Sequence, residues 1–236
     1  MFIGHYAVAF AAKKAAPQTS LGTLFLGVQL ADQLWPILLL LGVEHVRITP
    51  GITVMTPFDF YDYPFSHGLL ALSIYAVVAT TIYFIATNYK RGALILGICI
   101  LSHWVLDVIT HRPDMPLGFG NGMMFGIGLW NSWNGTVIVE GSLFLAGVIF
   151  YYVTTKSRDS VGLVGTLELV AFLALMYVVN IYAPPPPNVI MVAIGGNAGW
   201  LLILWAYWVD RHRTQRISRQ STLPTKADQN KRTVTE

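Results

Sequence analysis

Three residues in the run Ser102–His111 (SHWVLDVITH) could do chemistry together: His103, Asp107 and His111, four apart in an otherwise apolar segment. In a helix such residues share one face, because each four-residue step turns only about 40° around the axis. Ionisable groups at bilayer depth are costly, so they are as a rule paired, turned toward a cavity and functional. Imidazole nitrogen and carboxylate oxygen are also ligands that a zinc-type divalent ion takes. The spacing therefore predicts one wall of a metal site.

The rest of the chain must carry that wall through a membrane. Of its 236 residues 54% are hydrophobic and only 11% charged, against roughly 25% charged in an average soluble domain. A bilayer-crossing helix needs about 20 largely apolar residues. Six stretches qualify: Leu21–Gly42, Ser66–Thr87, Gly92–His111, Trp133–Val153, Val161–Tyr182 and Val189–Val209. The expected fold is an all-α polytopic membrane protein, with a short half-inserted helix over residues 1–16 that is too short to span and is closed by Pro17. Residues 1–210 read as one integral membrane domain and 211–236 as a basic, disordered tail drawn to anionic lipid headgroups.

Charge placement gives an orientation. With both termini cytoplasmic, all but Arg47 and Arg112 of the 15 Lys and Arg fall on the cytoplasmic side, as the positive-inside bias requires. No basic stretch precedes the first apolar one, so no cleavable signal peptide is expected. The single Cys99 cannot form an intrachain disulfide. Nucleic-acid binding is not expected of so short a basic tail. Two connections face outward in this topology. Residues 43–65 carry Phe58, Phe60, Tyr61, Tyr63 and Phe65 among Asp59 and Asp62, and residues 112–128 are glycine-rich. The aromatics read first as interface anchors, and the glycine-rich loop as a connector or a mobile flap. The four prolines at 184–187 form a stiff corner.

Depth then gathers further candidates. At about 1.5 Å per residue, Asp107 lies about 6 Å and His103 about 12 Å below His111. His67 opens the second span on the same side, and Asp32 sits near mid-depth of the first, with Gln29 and Gln33 on its face. If the first short helix rises from Lys13, His5 reaches the same level; if it lies flat, His5 is excluded. Singly, each residue has a plain structural reading: His67 as a helix-start residue, His111 as a cation at a helix C-terminus, Asp32 as a packing group. Jointly, two buried aspartates with no Lys or Arg at their depth need a cation. The candidate metal ligands are thus His5, Asp32, His67, His103 and Asp107, and the proton-transfer candidates His111 and Glu140. Glu168, nearer the cytoplasmic side, reads as structural.

The series Gly4-His5, Asp32, Ser66-His67-Gly68-Leu69-Leu70 and Ser102-His103-Trp104-Val105-Leu106-Asp107 resembles the membrane-bound metal-dependent hydrolases of bacteria, the YdjM-like or LexA-binding inner-membrane family. The motifs cover residues 1–155. The resemblance implies a hydrolase of the bacterial inner membrane. The ligand order is more remotely similar to that of zinc-dependent phospholipase C. That likeness implies one zinc among Asp32, His67, His103 and Asp107, with Asp107 bridging to a second held partly by His5. His111 matches a ligand of a further zinc only loosely. A second His-x3-Asp/Glu pair is missing, so one or two ions are expected, not three.

The expected function is a metal-dependent hydrolase whose site opens to the outer leaflet, with membrane lipids as surroundings and a lipid or lipid-linked phosphoester as substrate class. The same residues would also suit an ion- or proton-coupled transporter, a b-type haem protein with axial histidines, or a non-catalytic scaffold stapled by metal.

Overall fold

The computed structural model describes residues 1–120 and 122–216. In chain order the helices are α1 (Ile3–Ala15), α2 (Leu21–Leu40), α3 (Pro64–His67), α4 (Leu69–Thr87), α5 (Lys90–Thr110), α6 (Trp133–Thr154), α7 (Ser160–Tyr182), α8 (Val189–Asn197) and α9 (Gly199–Arg211). Five of these, together with α8 and α9 taken as one 23-residue stretch, give six segments long and apolar enough to cross a membrane. The chain is an all-α polytopic protein. Among the described residues the strands form three two-stranded antiparallel sheets outside the spans: β1 (His45–Ile48) with β2 (Phe58–Asp62), β3 (Met115–Pro116) with β4 (Met124–Phe125), and β5 (Thr155–Ser157) with β6 (Arg213–Gln215).

Local chemistry sets the elements. The Ser20 side chain caps α2 by accepting from Thr23 N–H at 3.1 Å, which satisfies one of the donors a helix start leaves open. Asn88 adopts a left-handed conformation (φ 52°) at the end of α4. It turns the chain tightly enough for α5 to begin two residues later and pack back along α4. α1 is about 20 Å long at 1.5 Å per residue and does not cross. It threads into the bundle against α6, α2 and α5. Tyr6 and Phe10 lock into Phe25, Phe144 and Tyr151 in the main core. Gly147 on α6 faces the Ala7 backbone with no room for a Cβ, so this glycine is what admits α1.

One end of the bundle is basic and the other carries the candidate site. At the basic end Lys13 pairs with Asp210 at 2.6 Å, and Tyr151 donates to the other oxygen of Asp210 at 3.0 Å. The Arg213 Nη1 donates to Ser157 Oγ and Gly162 O, both at 2.8 Å, and its guanidinium lies over Tyr151 and Tyr152.

The departures from the sequence reading are local. Ser66 and His67 belong to α3, not to the second span, because Gly68 is extended (ψ 135°) and breaks the helix. The last span is interrupted at Ala198 between Gly195, Gly196 and Gly199. Residues 43–65 hold a β-hairpin with a register shift between His45 and Arg47. The expected tail begins later than 211: Arg211 ends α9, and β6 is pinned to β5 by the buried Arg213. The rest of that tail, 217–236, lies outside the described residues.

Candidate metal centre

Four features of the backbone aim the site residues. Pro36 lies inside α2, four residues after Asp32. Proline has no N–H, so the Asp32 carbonyl loses its helical partner and α2 is loosened at that level. Gly27 sits so close to α5 that a Cβ would lie 2.7 Å from Leu96 Cδ1. That approach brings Val28 O within 2.7 Å of His103 Nδ1. The break at Gly68 leaves His67 on a single turn that faces inward, 2% exposed. α1 delivers His5, fully buried, whose ring stacks on His103 at 3.9 Å between centroids and 5° between planes. The half-inserted reading of α1 therefore matches where His5 is found.

Asp107 lies at the centre. Its Oδ1 faces His5 Nε2 at 3.0 Å and the Met1 amino group. Its Oδ2 faces His103 Nε2 at 3.0 Å, His67 Nε2 at 3.9 Å and His111 Nε2 at 4.0 Å. Asp32 Oδ1 closes the same space, 3.4 Å from His67 Nε2 and 3.8 Å from His103 Nε2. Two overlapping groups have the ligand types and spacing to hold a metal ion: His5, His103 and Asp107, and Asp32, His67 and His103. Two ligands bound tetrahedrally at 2.0–2.1 Å stand about 3.3 Å apart, and these separations bracket that value.

The histidine tautomers follow from the outer partners. A carbonyl only accepts, so His103 Nδ1 carries hydrogen toward Val28 O, and the neutral ring then has its lone pair at Nε2. That Nε2 is buried and, despite its nearness to Asp107, has no hydrogen bond. The Glu44 carboxylate accepts from Phe65 N–H at 2.7 Å, Ser66 N–H at 2.8 Å and Ser66 Oγ–H at 2.6 Å. The one hydroxyl proton of Ser66 is thereby committed to Glu44. Ser66 Oγ must then accept from His67 Nδ1–H, 2.7 Å away, which turns the lone pair of His67 inward as well. His111 is held the same way, its Nδ1 donating to Asp114 Oδ1 at 3.0 Å. In their neutral forms the three imidazoles thus turn Nε2 lone pairs toward two carboxylates. Outer partners of this kind orient metal-binding histidines.

His111 and Glu140 stand outside both groups. Burial lowers the pKa of His111, and Asp114 partly opposes the shift. His111 and Glu140 both line a cavity of about 160 Å³ together with Asp32, His67 and Asp107. Glu140 accepts from Phe2 N–H at 2.9 Å. Glu168 is exposed on α7, away from the cluster. Gln29 and Gln33 are buried beside Asp32 along α2, and each has a side-chain oxygen without a partner.

Two residues of the site were missed in the sequence reading. Glu44, 1% exposed, follows a helix end in what reads as a solvated loop. Asp114 lies in the glycine-rich connection, where the signal was only its three-residue spacing from His111.

No family model, curated protein or solved structure matches the chain.

Proposed function

We propose that the chain is a membrane-embedded metal-dependent hydrolase, with zinc as the ion and a phosphoester or ester as substrate. The observation that carries this reading is the convergence of His67, His103 and His111 Nε2 lone pairs on Asp107 and Asp32 in a buried pocket. Lone pairs facing carboxylate oxygens repel unless a cation lies between them. An imidazole lone pair serves one ion, so His103 belongs to one metal only. The two oxygens of Asp107 point to different partner sets, which suits a bridge. One ion would take Asp32, His67, His103 and Asp107; a second would take His5 and the other Asp107 oxygen.

Bound there, the ion supplies a Lewis acid and a water of near-neutral pKa. The protein's own part is to fix that water and move its proton. His111 and Glu140, which both line the cavity, are the candidates for proton transfer. The positive-inside bias puts both termini in the cytoplasm and the site in the outer half of the membrane, which we assign to the bacterial inner membrane on the motif resemblance. A transmembrane relay is the weaker reading. Toward the basic end the space next to the cluster is filled by Phe10, Phe25, Val28 and Cys99.

The test is elemental analysis of detergent-purified wild type beside His103→Ala and Asp107→Ala, followed by phosphoester and carboxylester panels. The expected result is one or two zinc ions in wild type, loss in both variants, and turnover only with metal. A folded wild type without stoichiometric metal after chelator-free purification would overturn the reading. Metal without turnover would make the centre a structural staple.

A further inference from the structure

We infer that the cavity is entered sideways, between the site-end halves of α6 and α7, by the polar head of a membrane lipid whose chains stay in the bilayer. This deepens the hydrolase reading by naming the substrate class, and it rests on that reading only for what happens to the headgroup.

α6 and α7 are consecutive, yet they pack on different partners, α6 along α1 and α7 along α9, and barely touch each other. The close approaches that hold them are near the basic end: Gly147 of α6 on Ala7, and Gly162 and Gly165 of α7 on His212 and Trp208. Toward the site end the cavity lies between them, bounded by Glu140 on α6 and by Tyr177 and Asn180 on α7. Counted from the ends of their helices, Glu140 is about 10 Å and Tyr177 about 7 Å inside, at 1.5 Å per residue. That is within the hydrocarbon depth of a bilayer.

The lining is polar where lipid would normally demand apolar side chains. The Tyr177 residue is only 7% exposed and its hydroxyl has no partner. Asn180, one turn further along α7, is exposed and also lines the cavity. A buried hydroxyl left unpaired is costly, so a group that accepts from it stabilises the pair.

The water-facing side is roofed instead. Met55, Phe58, Phe60 and Trp130 cover the cavity from that direction. The roof is tied down by Val54 N–H donating to Trp130 O at 3.2 Å and by Arg112 on Asp59 at 2.8 Å. A soluble substrate would meet this aromatic cover. An amphiphile in the near leaflet would meet a slot with a carboxyl, a hydroxyl and an amide at headgroup-proximal depth. Among the described residues no Lys or Arg side chain lines the cavity, but Met1 does, with its amino group on Asp107. An anionic head would be met there by that amino group, by any bound metal and by neutral donors from Tyr177 and Asn180.

The experiment uses the full chain in liposomes of phosphatidylethanolamine and phosphatidylglycerol carrying a phosphatidylethanolamine with a photoreactive diazirine in its acyl chain. Crosslinked peptides are mapped by mass spectrometry, and bound metal is measured on the same samples. Adducts should concentrate on residues 133–144 of α6 and 173–182 of α7. Asn180→Trp should remove most of them while labelling of α4 and metal content stay as in wild type. Val78→Trp, on the exposed face of α4, should leave the slot labelling intact. Even labelling of all lipid-facing helices, or slot labelling indifferent to Asn180→Trp, would overturn lateral entry. Slot labelling in a protein that holds no metal would keep the entry route and remove the hydrolase reading. Metal without slot labelling would do the reverse.

Discussion

Both ends of this bundle bury charge, and they treat it in opposite ways. At the basic end the buried charges are matched by protein: Lys13 by Asp210 and the Thr19 carbonyl at 2.8 Å, Asp210 by Lys13, Tyr151 and Leu21 N–H at 3.1 Å, and Arg213 by hydroxyls and a carbonyl. At the site end the Nδ1 atoms of His67, His103 and His111 are matched, while their Nε2 atoms point at carboxylates. His103 Nε2 is buried without a hydrogen bond, and so is His5 Nδ1, on the side of that ring turned away from Asp107. A network that only holds helices together satisfies its polar groups internally, because unpaired ones are costly. At the site end the central Asp107 meets the Met1 amino group and several imidazole nitrogens, and the residues around it have the types and spacing that could hold a metal ion. The contrast between the two ends is a sharper reason to look for a metal than the presence of His and Asp alone.

The largest effect that could break this comparison is at Asp107. Asp107→Ala should abolish stoichiometric metal by elemental analysis, since both proposed ion positions draw on this residue. Retention of wild-type metal would make the two ends equivalent. Next comes the clasp. Lys13→Met leaves Asp210 short of its cation, and losing one partner of a buried pair costs about 3–5 kcal/mol. It should lower the unfolding midpoint in detergent, with metal content of the folded fraction unchanged. A matching loss of metal would mean that the ends are not separable.

A smaller effect is expected at Glu44. Glu44→Gln or Ser66→Ala frees the Nδ1 side of His67, and loss of such outer partners lowers metal affinity by about 10–100-fold. Competition with a chelator measures it, and unaltered affinity would show that the tautomer is set otherwise. The smallest concerns the exposed pair Asp159–His212, where the hydrogen bond from His212 at 2.8 Å pulls the Asp159 carboxyl below its usual range. A depressed carboxyl stabilises the fold above its unfolded pKa of about 3.9, and that contribution fades as pH falls through the folded value. Thermal midpoints of wild type and Asp159→Asn should thus differ slightly at pH 6 and converge on acidification. A gap that persists in acid would assign it to helix capping.

Much of the inner shell was legible because chemistry and period coincide there. His103 and Asp107 repeat at four residues in an apolar helix, and Asp32 and His67 stand out at the same depth for the same reason. The six spans were legible from length and apolarity, with one start off by a few residues at Gly68 and an unforeseen interruption at Ala198, where local backbone chemistry decides. Glu44 was not legible, since a carboxylate just past a helix end looks solvated until α3 folds over it. Arg213 was hidden in a basic run that continues beyond it. Tyr177 and Asn180 looked like the interface end of a span, and only the separation of α6 from α7 gives them a cavity to line.

The seating of α1 also fixes an order of assembly. His5 is among the earliest residues of the chain, yet the helix that carries it is held chiefly by α6, and its basic end by Asp210. During synthesis His103 and Asp107 can find Asp32 and His67 as soon as the first three spans are in the membrane. His5 must wait more than a hundred residues for the wall it leans on. A nascent chain halted before residue 133 would hold the Asp32, His67, His103 and Asp107 part of the centre and lack the seat for His5, so the two halves of the site are born at different times.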